Sequence, residues 1–180
     1  DPLEEGTVDH PFDSIQEAIE VAREGASVIV RPGLYRETLA FTGKAIKVLG
    51  IDPNDPNAGS FPILDAGQED TAVSFTRSED PNCLLRGFVI TRGKGRRAGA
   101  ILCSHSSPTV AHCLIAGNRS LTTGGAAVYC TNSEAVFVNC TIADNFNDES
   151  GAGLRTIDSH VTIANSILWA NLPCQITSDD

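Results

Sequence analysis

The chain has 180 residues, room for one domain with a sizeable core. It carries 13 Lys and Arg against 23 Asp and Glu, a formal charge of −10. That argues against nucleic acid or an anionic membrane as partner, because an acidic surface gains nothing by releasing their counterions. No apolar run approaches the roughly 18 residues of a membrane span, and the lack of any Met reads as a processed chain whose signal peptide is gone.

Residues 1–13 are an acidic, extended lead-in. Ser14 then has the features of a helix N-cap, with Glu17 completing a capping box. Ile15, Ala18, Ile19 and Ala22 follow on one apolar stripe, and Gly25 ends the helix. Such a stripe needs a surface to cover, which at the start of a solenoid is the open end of the core. Ser27 to Arg31, Thr38 to Phe41 and Ala45 to Leu49 read as short strands punctuated by glycines. Residues 52–62 read as a protruding loop. Ile63-Leu64, Ala72 to Phe75 and Leu84 to Thr91 continue the strand pattern.

From Gly99 to Asn171 the chain says nearly the same thing three times. Cys103, Cys113 and Asn118 mark the first copy, Cys130, Cys140 and Asn145 the second, Thr156, Ser166 and Asn171 the third. The offsets are 27 and 26 residues, a period that signals a solenoid, propeller or array. Each copy reads as three short strands. Stacking them puts Ile101, Val128 and Leu154 in one column, Val110, Phe137 and Ile163 in a second, and Ile115, Ile142 and Leu168 in a third. No copy has enough apolar surface to fold alone. The expected fold is all-β: a right-handed parallel β-helix of about five rungs spaced ~4.8 Å apart, with a short N-terminal capping helix. It forms a single domain over residues 1–180: helix 13–25, irregular rungs 26–98, regular repeats 99–171 and a tail 172–180.

Asn118, Asn145 and Asn171 recur after the third strand, and Asn139 and Asn165 recur with His112 in the equivalent place. Asn tolerates the left-handed backbone region, and stacked amides hydrogen-bond along a column, so these residues read as structural. Asn118-Arg-Ser120 and Asn139-Cys-Thr141 also match the glycosylation pattern. Cys103 with Cys130, and Cys113 with Cys140, form two short ladders. Their spacing is within disulfide range, but side chains pointing the same way from parallel neighbours make poor bridges. Buried thiols packed as small hydrophobes are preferred over bridges.

With these elements in view, the chain resembles the right-handed parallel β-helix of the pectin lyase-like superfamily. The resemblance is carried by Phe12 to Ile19, Ala26 to Thr38, Gly43 to Gly50 and the Asn turns. The later copies are similar to repeats of large secreted planctomycete-type bacterial proteins. The resemblance implies a secreted, extracellular or cell-surface protein. Its superfamily holds lyases, hydrolases, esterases, epimerases and proteins with no catalysis, so fold alone does not select among them. Lyases of this fold abstract a proton with Lys or Arg and bind calcium through a carboxylate ladder. The outward positions of the first strand are Leu102, Tyr129 and Arg155, and they hold no such ladder.

The candidate sites are therefore loops and isolated side chains. Arg92, Lys94, Arg96 and Arg97 form a basic loop that could hold an anionic sugar or supply a base. Asp144, Asn147, Asp148 and Glu149 form an acidic loop that could take Ca²⁺ as a cofactor. Asp52, Asn54, Asp55 and Asn57 are a second loop of that kind. The basic and acidic loops leave the column on one side and could pair with each other. Tyr129, Arg155 and Trp169 are candidate sugar contacts, with Trp169 pointing outward near the C-terminal end. His10, His105, His112 and His160 share no face or metal spacing. The functional expectation is a non-catalytic extracellular scaffold, assembly or adhesion module, self-associating through its ends into filaments or continuing into a larger chain. The alternative is a carbohydrate-active protein, lyase, hydrolase, epimerase or binding module, with a polysaccharide as partner.

Overall fold

Val28, Val48, Leu85, Val110, Phe137 and Ile163 stand in register on six successive parallel strands and point into one core. The computed structural model describes residues 5–50, 60–147, 149 and 152–179. The chain winds through three parallel sheets in turn. The first sheet holds Ser27–Ile29, Lys47–Leu49, Leu84–Arg86, Thr109–Ala111, Val136–Val138 and Thr162–Ala164. The second holds Leu34–Tyr35, Ile63–Asp65, Val89–Thr91, Leu114–Ala116, Thr141–Ala143 and Ile167–Trp169. The third holds Leu39–Ala40, Val73–Phe75, Ile101–Ser104, Val128–Thr131, Ala152–Ile157 and Cys174–Asp179. Six strands per sheet make about five turns of a parallel β-solenoid.

The three expected columns form, each with its residues paired in register across successive rungs. Phe41, Phe75, Phe88 and Phe137 are fully buried among them; each contributes about 2–3 kcal/mol by burial. Three features differ from expectation. Residues 172–180, expected as a tail, carry the strand Cys174–Asp179 of the third sheet. Leu34–Tyr35 is a strand directly after the Pro32-Gly33 turn, where none was expected. Lys94–Gly95, Arg119–Ser120 and Phe146–Asn147 make a fourth, three-stranded sheet at a corner of the coil. At two residues per strand, these segments are too short to show a period.

In the regular repeats the turns follow one rule: a residue with positive φ, then a residue whose side chain bonds back to the carbonyl two positions earlier. Between the third and first sheets the pairs are His105-Ser106, Asn132-Ser133 and Asp158-Ser159. Between the first and second they are His112-Cys113, Asn139-Cys140 and Asn165-Ser166. After the second sheet they are Gly117-Asn118 and Asp144-Asn145, with Ala170-Asn171 in register below. This corrects the expectation for Asn118, Asn145 and Asn171. The left-handed residue is the one before each, and the Asn is a ladder residue. Asn139 and Asn165, with φ of 54° and 50°, do occupy the left-handed region.

The capping helix α1 spans Ile15–Val21 and stops short of Gly25. The first rung holds both of its ends. The Glu37 carboxylate accepts from Ile15 N, Gln16 N and Ser14 Oγ, each at 2.9 Å. Lys44 Nζ donates to the carbonyls of Glu20 at 2.7 Å and Ala22 at 2.8 Å. Both charges complement the helix dipole. The Gln16 side chain bonds both backbone groups of Ala40, taking up the edge of the third sheet, while Ile15 and Ile19 close the core. An exposed edge invites further pairing, and here a side chain occupies it.

Candidate functional site

The most connected polar feature is the column that follows the second sheet. Asn118 Nδ2 donates to Ile90 O and Ala116 O, and Asn145 Nδ2 donates to Ile115 O and Ala143 O. Asn118 also donates through its backbone N and Nδ2 to Asn145 Oδ1, both at 3.0 Å. Asn145 repeats this onto Asn171 Oδ1 at 3.2 and 2.8 Å. Asn171 Nδ2 then donates to Gln175 Oε1 at 2.7 Å, so Gln175 closes the ladder in place of a fourth Asn. All three Asn side chains are buried, and Asn118 therefore cannot carry a glycan in the folded protein. Asn139 is exposed, with Nδ2 at 3.1 Å from His112 Nε2.

A second column runs through Ser106, Ser133 and Ser159, each serine's backbone N donating to the next hydroxyl. It ends on Glu79, a buried carboxylate that accepts from Gly43 N at 3.0 Å, Arg77 N at 2.9 Å and Ser106 Oγ at 2.7 Å. Three donors stand in for the cation a buried carboxylate normally needs. Sequence reasoning missed both Glu79 and Gln175. Glu79 does sit one 27-residue period before Ser106, but it shares no side-chain type with the serines.

None of the six cysteines is disulfide-bonded in this structure, and five are buried. Cys103 and Cys130 face each other in register. Their mutual hydrogen bond, with burial, holds the Cys103 thiol well above its ordinary range. Burial and the contact with Cys140 do the same for Cys113. Burial, with Glu79 close by, pushes Cys83 up to about 12. A neutral thiol favoured by the fold stabilises it below the ordinary value near 9. Above that pH the unfolded chain ionises first, so stability falls as pH climbs toward 12, by ~1.4 kcal/mol per unit for Cys83. We predict that the urea midpoint drops steadily from pH 8.5 to 11, and that Cys83→Ala flattens the slope relative to the parent. At pH 8 the folded protein should expose Cys174 alone to alkylation, and all six thiols once unfolded.

The basic loop is taken apart by the fold. Arg92, with φ of 57°, pairs through Nη1 with the buried Asp65 carboxylate at 2.8 Å. Lys94 lies on the corner sheet, above Arg119 and then Phe146. Arg96 and Arg97 are exposed beside the third sheet and line a hollow of about 450 Å³ with Asp70, Thr71, Leu102 and Thr122. Basic and acidic loops do leave on one side, but two rungs apart. The segment Arg119–Ser120 stands between them, and Lys94, Arg119 and Asp144 line one hollow of about 230 Å³. The Arg119 guanidinium lies 5.8 Å from the Phe146 ring centroid.

Asp144 is an exposed left-handed turn residue, Glu149 is exposed and Asp148 lies outside the described residues, as do Asp52, Asn54, Asp55 and Asn57. Among the described residues no group of three or more His, Cys, Asp or Glu could hold a metal ion. Tyr129 is only 7% exposed, too covered to stack a sugar. Arg155 donates to Asp179 Oδ2 and, through Nη1, to Thr123 O at 3.0 Å. Trp169 is 71% exposed on the outer face of the last rung. The three candidate sugar contacts therefore do not form one platform: one is buried, one is paired and one stands on the second sheet.

The last rung is the least covered layer of the column. Val161, Ile163 and Leu168, its inward side chains, are half-buried, and Ile176 is 50% exposed. The corresponding side chains one rung earlier, Phe137, Ile142 and Leu154, are fully or almost fully buried. Comparison with protein families, with curated proteins and with solved structures finds no significant match for this chain.

Proposed function

We propose that the chain is a non-catalytic β-solenoid scaffold, an assembly or adhesion module that adds a layer at its last rung. The observation that carries this proposal is the asymmetry of the column ends. Helix α1 closes the first rung, whereas Thr162–Ala164, Ile167–Trp169 and Cys174–Asp179 are the outermost strands of their sheets among the described residues, over half-covered apolar side chains. Unpaired parallel edges over apolar side chains are templates for further pairing. With one end closed, copies meet tail to tail through identical surfaces, and such a contact closes at two subunits rather than growing into a filament. The same edge also suits a further rung of the same polypeptide. Membership of the pectin lyase-like superfamily and a location outside the cell rest on the sequence resemblance alone. A carbohydrate-active role has less support, since Tyr129 and Arg155 are taken up by packing and pairing.

Sedimentation across a concentration series tests the proposal. The chain should show a monomer–dimer equilibrium that Ile176→Lys with Leu168→Lys abolishes while the circular dichroism spectrum stays unchanged. A monomer at every concentration would sink the self-association. A chain extended beyond Asp180 that stays monomeric, while the shorter one dimerises, would assign the layer to the same polypeptide.

A further inference from the structure

We propose that the hollow beside the third sheet binds a small organic dianion held between Arg96 and Arg97. Neighbouring rungs lock the loop that carries both arginines. Thr122 donates from its N at 3.2 Å and its Oγ1 at 2.6 Å to Arg96 O, and Thr71 Oγ1 donates to Ala98 O at 2.7 Å. Gly124 packs directly on the backbone of Arg97. The two guanidinium groups are thus anchored at a fixed base, and less freedom is lost when they close on a ligand.

Neither Arg96 nor Arg97 forms an ion pair or a side-chain hydrogen bond among the described residues, unlike Arg92 and Arg155. Asp70 in the wall already accepts from Thr71 N at 2.7 Å. The hollow therefore carries two cations against one carboxylate, over a floor of Leu102. A guanidinium fork matches a carboxylate or a phosphate through two parallel hydrogen bonds, and two adjacent forks match two such groups. The size of the ligand follows from the rest of the surface. A chain of net charge −10 repels a polyanion beyond the reach of this pair, and that reach is about 8 Å at physiological salt. The ligand is a compact dicarboxylate or a phosphate monoester.

Calorimetric titration at low salt with succinate, with glycerophosphate and with acetate as a monoanion control tests this. Saturable binding of succinate or glycerophosphate, weaker for acetate, is expected; the tighter of the two identifies the acid group. Arg96→Gln and Arg97→Gln should each weaken it by about tenfold, and the double variant should lose it with its melting temperature unchanged. In the unsubstituted chain, amide shifts on titration should cluster at 70–71, 95–98 and 122. No saturable binding of either dianion, undiminished binding in the double variant, shifts centred elsewhere, or preference for a polyuronate over succinate would overturn the assignment. Each of these outcomes leaves the end-assembly proposal standing.

Discussion

Asn145→Ala should cost about 3–5 kcal/mol and be the most damaging polar substitution in the column. Asn145 holds five side-chain hydrogen bonds in a site that is 1% exposed. Truncation leaves Ile115 O, Ala143 O and Asn118 N short of a partner, and each buried orphan costs ~1–3 kcal/mol. Asn145→Asp keeps an acceptor for Asn118 but sets a carboxylate against two carbonyls, so it should be no better. Asn139→Ala is the matched control. It too removes an Asn at a turn, but an exposed one, whose cost is that of holding Ala at a φ of 54°, roughly 1–2 kcal/mol. Urea unfolding of the three variants decides the matter. If Asn145→Ala and Asn139→Ala cost the same, the ladder contributes geometry and no net stability.

The same contrast shows how far the sequence could be read. Period and apolar positions place every paired column from Ile101 to Leu168, because burial inside a coil repeats whenever the coil does. The repeat also marks both sets of Asn, but it does not say which neighbour bends and which bonds. Asp144 and Asn145 are both turn formers by type, and only the backbone separates their roles. Functions supplied by unlike residues stay hidden. Gln175 stands in for the next Asn from four positions after Asn171, off the period, and Glu79 heads a serine column. The helix could be recognised, but its partners Glu37 and Lys44 could not, since they lie on the rung it covers. For the site, composition gives the two arginines. That residues 70–71 and 122–124 flank them follows only from the stacking.

Gly99→Ala should destabilise by about 3 kcal/mol or more, while Gly117→Asn should cost less than ~1 kcal/mol. The two glycines are kept for opposite reasons. A Cβ on Gly99 would run into Ala126 O and lie 2.6 Å from Arg119 N and 2.7 Å from Arg119 O. Those are backbone atoms of the next rung, fixed by Gly99 N donating to Ala126 O and Arg119 N to Gly93 O. No rotamer relieves the overlap, so the rungs must part locally and those bonds lengthen. Gly117 has a φ of 68°, and its added Cβ would meet only Thr91 Oγ1 at 3.3 Å. Asp144 and Ala170 fill the equivalent turn one and two rungs on, with φ of 53° and 51°. Asn tolerates this region better than Ala does and restricts the unfolded chain more than Gly. Thermal unfolding of both variants separates the two causes. Gly99→Ala should also loosen the Thr122 to Arg96 clamp beside it, so its amide exchange at residues 95–98 should speed up. Unchanged exchange there would mean that the two rungs absorb the methyl group without moving the arginine loop.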